Sequence, residues 1–249
     1  MSRIKKTAGF IIRSINYGDT SRIISVLSQD EGKVSFMAKG ARKIESKFGS
    51  ALELLTLTEF VYYQKEGLKL LSQASTLNPY SKLKSDYDRL EVALRTARWL
   101  QRLLEEDHGE PSVFLIYKDF LEMLCSMLEV EHFALYELSF KLKVLASMGL
   151  APTLDRCALC NKAPERSWFS LEKGGLLCQN CRSGGEAHER PLNLGIAKGL
   201  NMLLRLPFEK LTRIKLSQDV TAIGTKLIDE FTSHHLRPLM QQRKHLAQN

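Results

Sequence analysis

The chain has 249 residues, of which 44% are hydrophobic and 26% are charged, and its formal net charge at pH 7 is +8. This length suits one large domain or two to three small ones, and no apolar stretch approaches the roughly 20 residues needed to cross a bilayer. The N-terminus lacks the apolar stretch of a signal peptide, and cysteines are few, so a secreted disulfide scaffold is disfavoured and a cytoplasmic globular protein is predicted.

The positive charge is concentrated at the two ends of the chain. Residues 1–80 contain twelve Lys/Arg against seven Asp/Glu, residues 81–181 thirteen against fifteen, and residues 182–249 eleven against six. Clustered cations favour a polyanionic partner such as nucleic acid, because binding releases condensed counterions. A basic surface that serves only solubility is the alternative.

The first 75 residues predict five short strands. Apolar alternation covers residues 7–15, 22–28 and 33–38, and two further runs cover 52–63 and 68–75, with turn sequences between most of them. The single long interruption follows the third strand. Five strands in this arrangement favour a Greek-key barrel of the OB type over residues 1–79, since a sandwich usually has more strands.

The interruption at residues 39–50 carries four cations and one acid, with serines and glycines that suit phosphate binding. The cations predicted to bind nucleic acid are Arg13, Arg22, Lys33, Lys39, Arg42, Lys43 and Lys47. The candidate platforms for base stacking are Phe36, Phe48, Phe60, Tyr62 and Tyr63. A solvated strand face is the alternative for the strand cations, and a place in the barrel core is the alternative for the aromatics.

Beyond Asn78 and Pro79 the apolar period changes from 2 to 3.6. Amphipathic helices are predicted at about 83–104, 113–128 and 131–145, the third ended by Gly149, and two more from Asn193 to about 206 and from Ser217 towards Pro238. Together these helices form a predicted helical domain of residues 80–155 and 183–249.

A second basic strip is predicted near the C-terminus, at His234, His235, Arg237, Arg243, Lys244 and His245. The adjacent histidines lack metal-ligand spacing, so they are not counted as ligands.

Four of the five cysteines form two Cys-x-x-Cys pairs, with seventeen residues between the pairs. The predicted zinc ligands are Cys157, Cys160, Cys178 and Cys181. Four thiolates complete a tetrahedron and leave no open position, so the ion is expected to be structural. Residues 156–182 therefore predict a zinc ribbon that packs on the helices, with disulfides or free thiols as the alternatives. Cys125 lies on an apolar helical face and is given no role.

No familiar catalytic motif is present. The sequence contains no G-x-S-x-G, H-E-x-x-H, G-x-G-x-x-G or phosphate-binding loop, and the residues before its cysteine pairs do not match the zinc deaminase pattern. We therefore expect a binding protein and not an enzyme.

In this order the parts resemble the RecO family of bacterial recombination-repair mediators over essentially the whole length. The residues that carry the resemblance are TAGFIIR at 7–13, YGD at 17–19, GKV at 32–34, AKGARK at 38–43, LASMGLAP at 145–152, LD at 154–155, CALC at 157–160, FS at 169–170 and GGLLC at 174–178. Members of that family have an N-terminal OB barrel, a helical domain and often a zinc ribbon, so the resemblance implies a multidomain α+β protein with these three parts.

The resemblance also implies a function. Such a protein would bind single- and double-stranded DNA at the nucleoid, anneal complementary strands, and act with RecR and the C-terminal tail of the single-strand binding protein so that RecA can load. Two other hypotheses remain open from the residues alone: an RNA-binding protein of translation or transcription, and a metal-supported nuclease or strand-transfer enzyme.

Overall fold

The protein is described by a computed structural model that covers residues 4–127, 132–184 and 189–246, with side chains to residue 235. The chain forms two compact units, Met1–Phe133 and Ala134–Asn249. No helix among the described residues combines the length and apolarity of a membrane span. The domain boundaries predicted from the sequence stay a prediction.

The first unit begins with a closed five-stranded barrel, as predicted. Its strands are β1 (Ile4–Tyr17), β2 (Ser21–Ser28), β3 (Gly32–Ala38), β4 (Leu57–Tyr63) and β5 (Lys69–Asn78), in the order β1-β2-β3-β5-β4. The β1–β2 ladder pairs eight residues on each strand and has a bulge between Ile11 and Arg13. The barrel closes through a parallel seam of β3 and β5 that pairs only Phe36 with Lys69 and Met37 with Leu70.

The barrel core takes residues from the strands and from the segment between β3 and β4. Its buried members are Ile11, Ile24, Val26, Val34, Phe36, Ala38, Phe48, Leu52, Phe60, Tyr62 and Leu71. Phe48 and Leu52 belong to that segment, and Gly49–Leu52 form a short 3-10 helix. The prediction that the fourth strand starts at Leu52 is wrong, because the 3-10 turn and the left-handed backbone of Leu55 (φ 63°) delay it until Leu57.

Three helices complete the first unit: α1 (Ser81–Lys84), α2 (Tyr87–Leu103) and α3 (Pro111–Ser126). The first predicted helix is divided because the carboxylate of Asp86 accepts the backbone N–H of Arg89 and starts a new helix there. The helices pack on the outside of the barrel, where the Phe10 ring of β1 lies 5.4 and 5.3 Å from the rings of Phe114 and Tyr117. This contact covers one part of the outer sheet surface.

The link between α2 and α3 also touches the barrel. Residue 107 donates its backbone N–H to the carbonyl of Lys33, and a Cβ added to Gly32 would lie 1.8 Å from the carbonyl oxygen of His108. Gly32 has a φ of +70°, so both its backbone conformation and the approach of this link require glycine.

The second unit combines four helices with a small sheet. The helices are α4 (Phe133–Ser147), α5 (Leu194–Arg205), α6 (Phe208–Leu211) and α7 (Gln218–Leu246), and the strands are β6 (Ser167–Ser170), β7 (Gly175–Cys178) and β8 (Glu189–Pro191) in the order β7-β6-β8. The predicted N-cap at Asn193 and the left-handed glycine at Gly149 are confirmed. Helix α6 and strand β8 were not predicted, and α7 continues past Pro238, where the sequence had indicated an end.

Polar groups and aromatic rings hold the second unit together. The Lys141 ammonium on α4 lies between the carboxylates of Glu137, at 3.2 Å, and Asp229 of α7, at 2.8 Å. On the sheet side, the buried ring of Phe169 meets the Phe231 ring of α7 edge to face at 5.9 Å. The predicted packing of the ribbon on the helices is therefore confirmed within this unit.

A glycine comparison tests the contact between the barrel and the α2–α3 link. Gly67, in the β4–β5 turn, has a similar positive φ of +64° but open space around its Cβ position. We expect Gly67→Ala to cost about 1–2 kcal/mol of unfolding free energy from backbone strain alone. Gly32→Ala should cost about 1–3 kcal/mol more because of the clash. Urea unfolding of both variants measures the difference, and equal losses would contradict the close approach at His108.

Candidate nucleic-acid interface and cysteine cluster

The segment between β3 and β4 presents its cations on a fixed surface. We call Lys39, Arg42, Lys43 and Lys47 the cation platform; all four side chains are exposed. The buried Phe48 and Leu52 anchor the segment in the barrel core, so these cations do not sit on a free arm. The Lys47 ammonium lies 5.2 Å from the centre of the Phe48 ring, which adds a cation–π contact at the anchor.

Arg42 joins the cation platform to the β1–β2 hairpin. Its backbone N–H donates to the carbonyl of Thr20 at 2.8 Å, and its guanidinium donates to the carbonyl of Gly18 at 3.0 Å. These bonds fix the platform beside the hairpin turn. Arg13 is exposed on β1, and the half-buried Arg22 pairs across the sheet with Ala38, next to Lys39. The structure thus places Arg22, Lys39 and Arg42 close to the β1–β2 turn, and it leaves Arg13, Lys43 and Lys47 exposed on the same unit.

Carboxylates do not neutralise the cation platform in the described part of the chain. None of its four members forms an ion pair there, and Glu45 is the acid within the segment itself. Unpaired, exposed cations at fixed positions are what a phosphate backbone requires, since each contact displaces a condensed counterion.

Lys33 has a different place, and it is removed from the interface. Only 6% of its side chain is exposed, and its ammonium donates to the carbonyls of Gln101 at 3.1 Å and Leu104 at 2.5 Å, with the Glu106 carboxylate at 3.7 Å. These carbonyls lie at the C-terminal end of α2, where the helix dipole favours a cation. A buried ammonium committed to a helix end is not accessible to a phosphate.

Most of the candidate stacking aromatics are in the barrel core. Phe36, Phe60 and Tyr62 are fully buried and pack on one another, Phe48 is 3% exposed, and Tyr63 is half-buried. The sequence reasoning missed Tyr17, whose side chain is 55% exposed at the tip of the β1–β2 hairpin. Its position at the end of an alternating run, directly before the Gly18 turn, was the available signal.

The C-terminal basic strip is described only at its start. The His235 ring contacts the carbonyl of Leu171 at 3.1 Å and the Phe231 ring at 4.4 Å, and burial lowers its pKa. His235 therefore acts as a packing group between α7 and the small sheet. The predicted strip at Arg237, Arg243, Lys244 and His245 lies outside the residues whose side chains are described.

The four paired cysteines converge on one point. Their sulfurs all lie within 4.8 Å of one another, and Cys160 Sγ is 3.8 Å from Cys178 Sγ. The spacing arises from the turn after each first cysteine and from the β6–β7 hairpin, which returns Cys178 opposite Ser167. All five cysteines of the chain are free thiols, so the disulfide alternative is not realised.

The surroundings favour a thiolate at this point. Burial opposes ionisation of Cys157, but backbone N–H groups from Cys160, Cys178 and Leu159 outweigh it and lower the pKa of Cys157 to about 6. Hydrogen bonding with Cys178 and Cys160 raises the pKa of Cys181 to about 12, because crowded sulfurs resist collecting several negative charges. A bound cation removes that conflict by neutralising the thiolates.

The cluster fits a tetrahedral metal ion. Bonds of about 2.3 Å to four sulfurs imply sulfur–sulfur edges of about 3.8 Å, close to the Cys160–Cys178 separation. All four positions would be filled by sulfur, so an ion held here has no site for water or substrate. Cys125 is far along the chain on α3 and takes no part.

Comparison with known proteins gives a consistent result in both halves of the chain. Residues 1–80 match the family model described as "Recombination protein O N terminal". Residues 84–243 match the model described as "Recombination protein O C terminal".

Curated relatives match over nearly the full length. The chain is similar to a protein from Exiguobacterium sibiricum, with 26% identity over 98% of this chain and 97% of the relative. It is 32% identical to one from Desulfatibacillum aliphaticivorans, over 92% and 91%, and 34% identical to one from Rubrobacter xylanophilus, over 81% of each. All three are named "DNA repair protein RecO".

A cysteine comparison tests the metal site. Cys157→Ser removes one of four sulfur ligands, so we expect the purified variant to lose its bound metal and part of its thermal stability. Cys125→Ser is the matched control and should keep both. Metal analysis by mass spectrometry together with thermal unfolding measures the effect, and a fully metallated Cys157→Ser protein would contradict the four-sulfur site.

A lysine comparison tests the structural role of Lys33. Lys33→Met leaves the carbonyls of Gln101 and Leu104 without their cation, and we expect it to lower the free energy of unfolding by about 2–3 kcal/mol. The same change at the exposed Lys39 should leave stability nearly unchanged. Urea unfolding checks both variants, and a stable Lys33→Met protein with weakened DNA binding would reverse this assignment.

Proposed function

Since the chain belongs to the RecO family of recombination and DNA repair proteins, we propose that it is a non-catalytic mediator that binds single- and double-stranded DNA and anneals complementary strands. It acts with RecR and the C-terminal tail of the single-strand binding protein to promote the loading of RecA. The observation that carries the DNA-binding part is the cation platform, which is exposed, free of ion pairs among the described residues and anchored in the barrel.

The physical basis of annealing is the screening of repulsion between two polyanions. Each strand carries a phosphate charge at every nucleotide, and the approach of two strands is slowed until cations compensate part of that charge. Exposed lysines and arginines on a rigid support supply this compensation without reading base sequence, because they contact the backbone. A protein of this kind accelerates pairing for any complementary sequences.

The metal in the cysteine cluster is proposed to be Zn²⁺ with a structural role. Four sulfur ligands in a tetrahedral arrangement are the usual structural zinc site, and the small three-stranded sheet has little core of its own. Zinc would hold the residues around Cys157 and Cys178 in place beside the small sheet. No step of DNA binding is assigned to the ion.

Reversing the charge of the cation platform tests the proposal. Changing Lys39, Arg42, Lys43 and Lys47 together to Glu removes up to four phosphate contacts, so the affinity for single-stranded DNA should fall strongly at low salt. The slope of log affinity against log salt should flatten by up to about 3, since each phosphate contact on a single strand contributes about 0.7. Fluorescence anisotropy over a salt series measures both quantities.

A matched control separates local from overall charge. The exposed residues Lys65, Lys82, Arg98 and Arg102 lie in the same unit but away from the cation platform along the chain. Their joint reversal to Glu changes the net charge equally, and it should leave most of the affinity and slope intact. Equal losses of affinity in the two variants would show that binding depends on net charge alone. That result would contradict the assignment of DNA binding to the cation platform.

Further assays separate this function from the two alternatives. Complementary strands coated with single-strand binding protein should anneal faster with the chain than without it. Single-stranded RNA of the same sequence should bind more weakly if DNA is the natural ligand. Labelled DNA incubated with magnesium should keep its length, and shortened products would favour a nuclease.

A further inference from the structure

The outer face of the sheet formed by β1, β2 and β3 is covered on only one half. Side chains alternate along a strand, so residues that pair directly across an antiparallel ladder share a face. The core residues Ile24, Val26 and Phe36 point inward, which places the intervening residues of β2 and β3 outside. Residues that pair across the three strands form rows on this outer face. The first row contains Phe10, Leu27 and Lys33, and the last row lies at the β1–β2 turn.

Helices and the α2–α3 link cover the first rows. Phe10 packs against the rings of Phe114 and Tyr117, and Lys33 bonds to the end of α2. In the next row the Ser35 hydroxyl donates to the Glu106 carboxylate at 3.1 Å. This part of the face is filled from within the same unit and offers nothing to a ligand.

The rows nearer the turn are more exposed. Ile15 pairs with Ile23, which pairs with Met37, and the next row holds Tyr17 opposite Ser21. Ile15 is 39% exposed and Tyr17 is 55% exposed, while Ile23 and Met37 are half-buried. We call Ile15, Tyr17, Ile23 and Met37 the apolar strip. Its members share one face of neighbouring strands, so they offer a continuous apolar surface with one exposed ring.

Cations frame the apolar strip. The exposed Arg13 lies on the same face of β1, one alternation before Ile15, because side chains two residues apart point the same way. On the turn side, Arg42 donates to the carbonyls of Gly18 and Thr20, so this member of the cation platform is attached to the turn that directly follows Tyr17. An apolar centre with cations at both ends matches a ligand that carries flat apolar groups on an anionic backbone.

From this arrangement we propose that the apolar strip receives the unpaired bases of single-stranded DNA, with Tyr17 as the stacking ring and Ile15 as its apolar neighbour. The inference rests on the proposed function, because the cation platform must hold the phosphates while the bases lie on the strip. Every base has a stackable face, so such contacts favour single strands without selecting a sequence. Bases in a duplex already stack on each other, and duplex DNA therefore gains from the platform but not from Tyr17.

The test compares two probes with the same number of phosphates. One is a labelled oligothymidine of about 16 nucleotides, enough to fill one OB-type site, and the other is an abasic oligomer of equal length. In the full chain, Tyr17→Ala should lower the affinity for oligothymidine about 5- to 150-fold, the range of one lost stacking contact. The affinity for the abasic oligomer and the salt slope for either probe should not change.

Two matched variants sharpen the comparison. Tyr17→Phe keeps the ring, so it should bind oligothymidine as tightly as the unchanged protein. Weak binding by Tyr17→Phe would show that the hydroxyl, and not the ring, makes the contact. Tyr87 is an exposed tyrosine, at 78%, on α2 of the same unit, and Tyr87→Ala should leave both affinities unchanged. Thermal unfolding confirms that each variant is folded, which is expected because both side chains are exposed.

The outcomes separate this inference from the proposal on which it rests. If Tyr17→Ala weakens both probes equally, or neither, the strip does not bind bases, even when reversal of the cation platform still abolishes DNA binding. If platform reversal leaves both probes bound, the proposed function at this site is itself wrong. Unchanged DNA binding with a weakened complex with RecR would assign the strip to a protein partner and overturn the inference.

Discussion

Burial of Phe48 and Leu52 in the barrel core is the contact on which the candidate interface depends. These two side chains convert a glycine- and lysine-rich segment, which by composition resembles a flexible loop, into part of the barrel wall. Arg42 adds a second attachment through the carbonyls of the β1–β2 turn. A cation held in place loses less conformational entropy when it meets a phosphate, so rigid attachment increases the contribution of each contact to binding.

The lysines of this chain divide into two groups that composition cannot separate. Lys33 and Lys141 are buried, and their ammonium groups meet carbonyls or carboxylates inside the fold. Lys143 is half-buried, and desolvation lowers its pKa while it donates to the carbonyls at the end of α5. Lys39 and Lys43, in contrast, are exposed and have no ion-pair partner among the described residues. The net charge of +8 therefore counts buried lysines that a DNA strand cannot contact. At the cation platform, in contrast, the local density of positive charge is higher than the net charge suggests.

Local patterns were enough to predict the five strands, the cysteine cluster and the helix boundaries at Asn193 and Gly149, because alternation, ligand spacing and capping depend on neighbouring residues. Features that depend on distant partners were not predictable in the same way. Lys33 is buried by a helix end some 70 residues later in the sequence, and the start of β4 depends on how Leu52 fits the core. For Tyr17 the turn position was visible in the sequence, but its exposure depends on how far the helices cover the sheet.

The seam between β3 and β5 has a consequence for how the barrel tolerates fluctuation. Only two residue pairs close it, whereas the β1–β2 ladder has eight, so the backbone pairing is weaker at the seam than in the hairpin. Opening at the seam would free the edge of β3 that carries Met37 of the apolar strip, while the β1–β2 pairing that holds Tyr17 stays intact. A DNA strand held at Tyr17 would thus keep that contact while the neighbouring edge of the strip separates from β5 and pairs again.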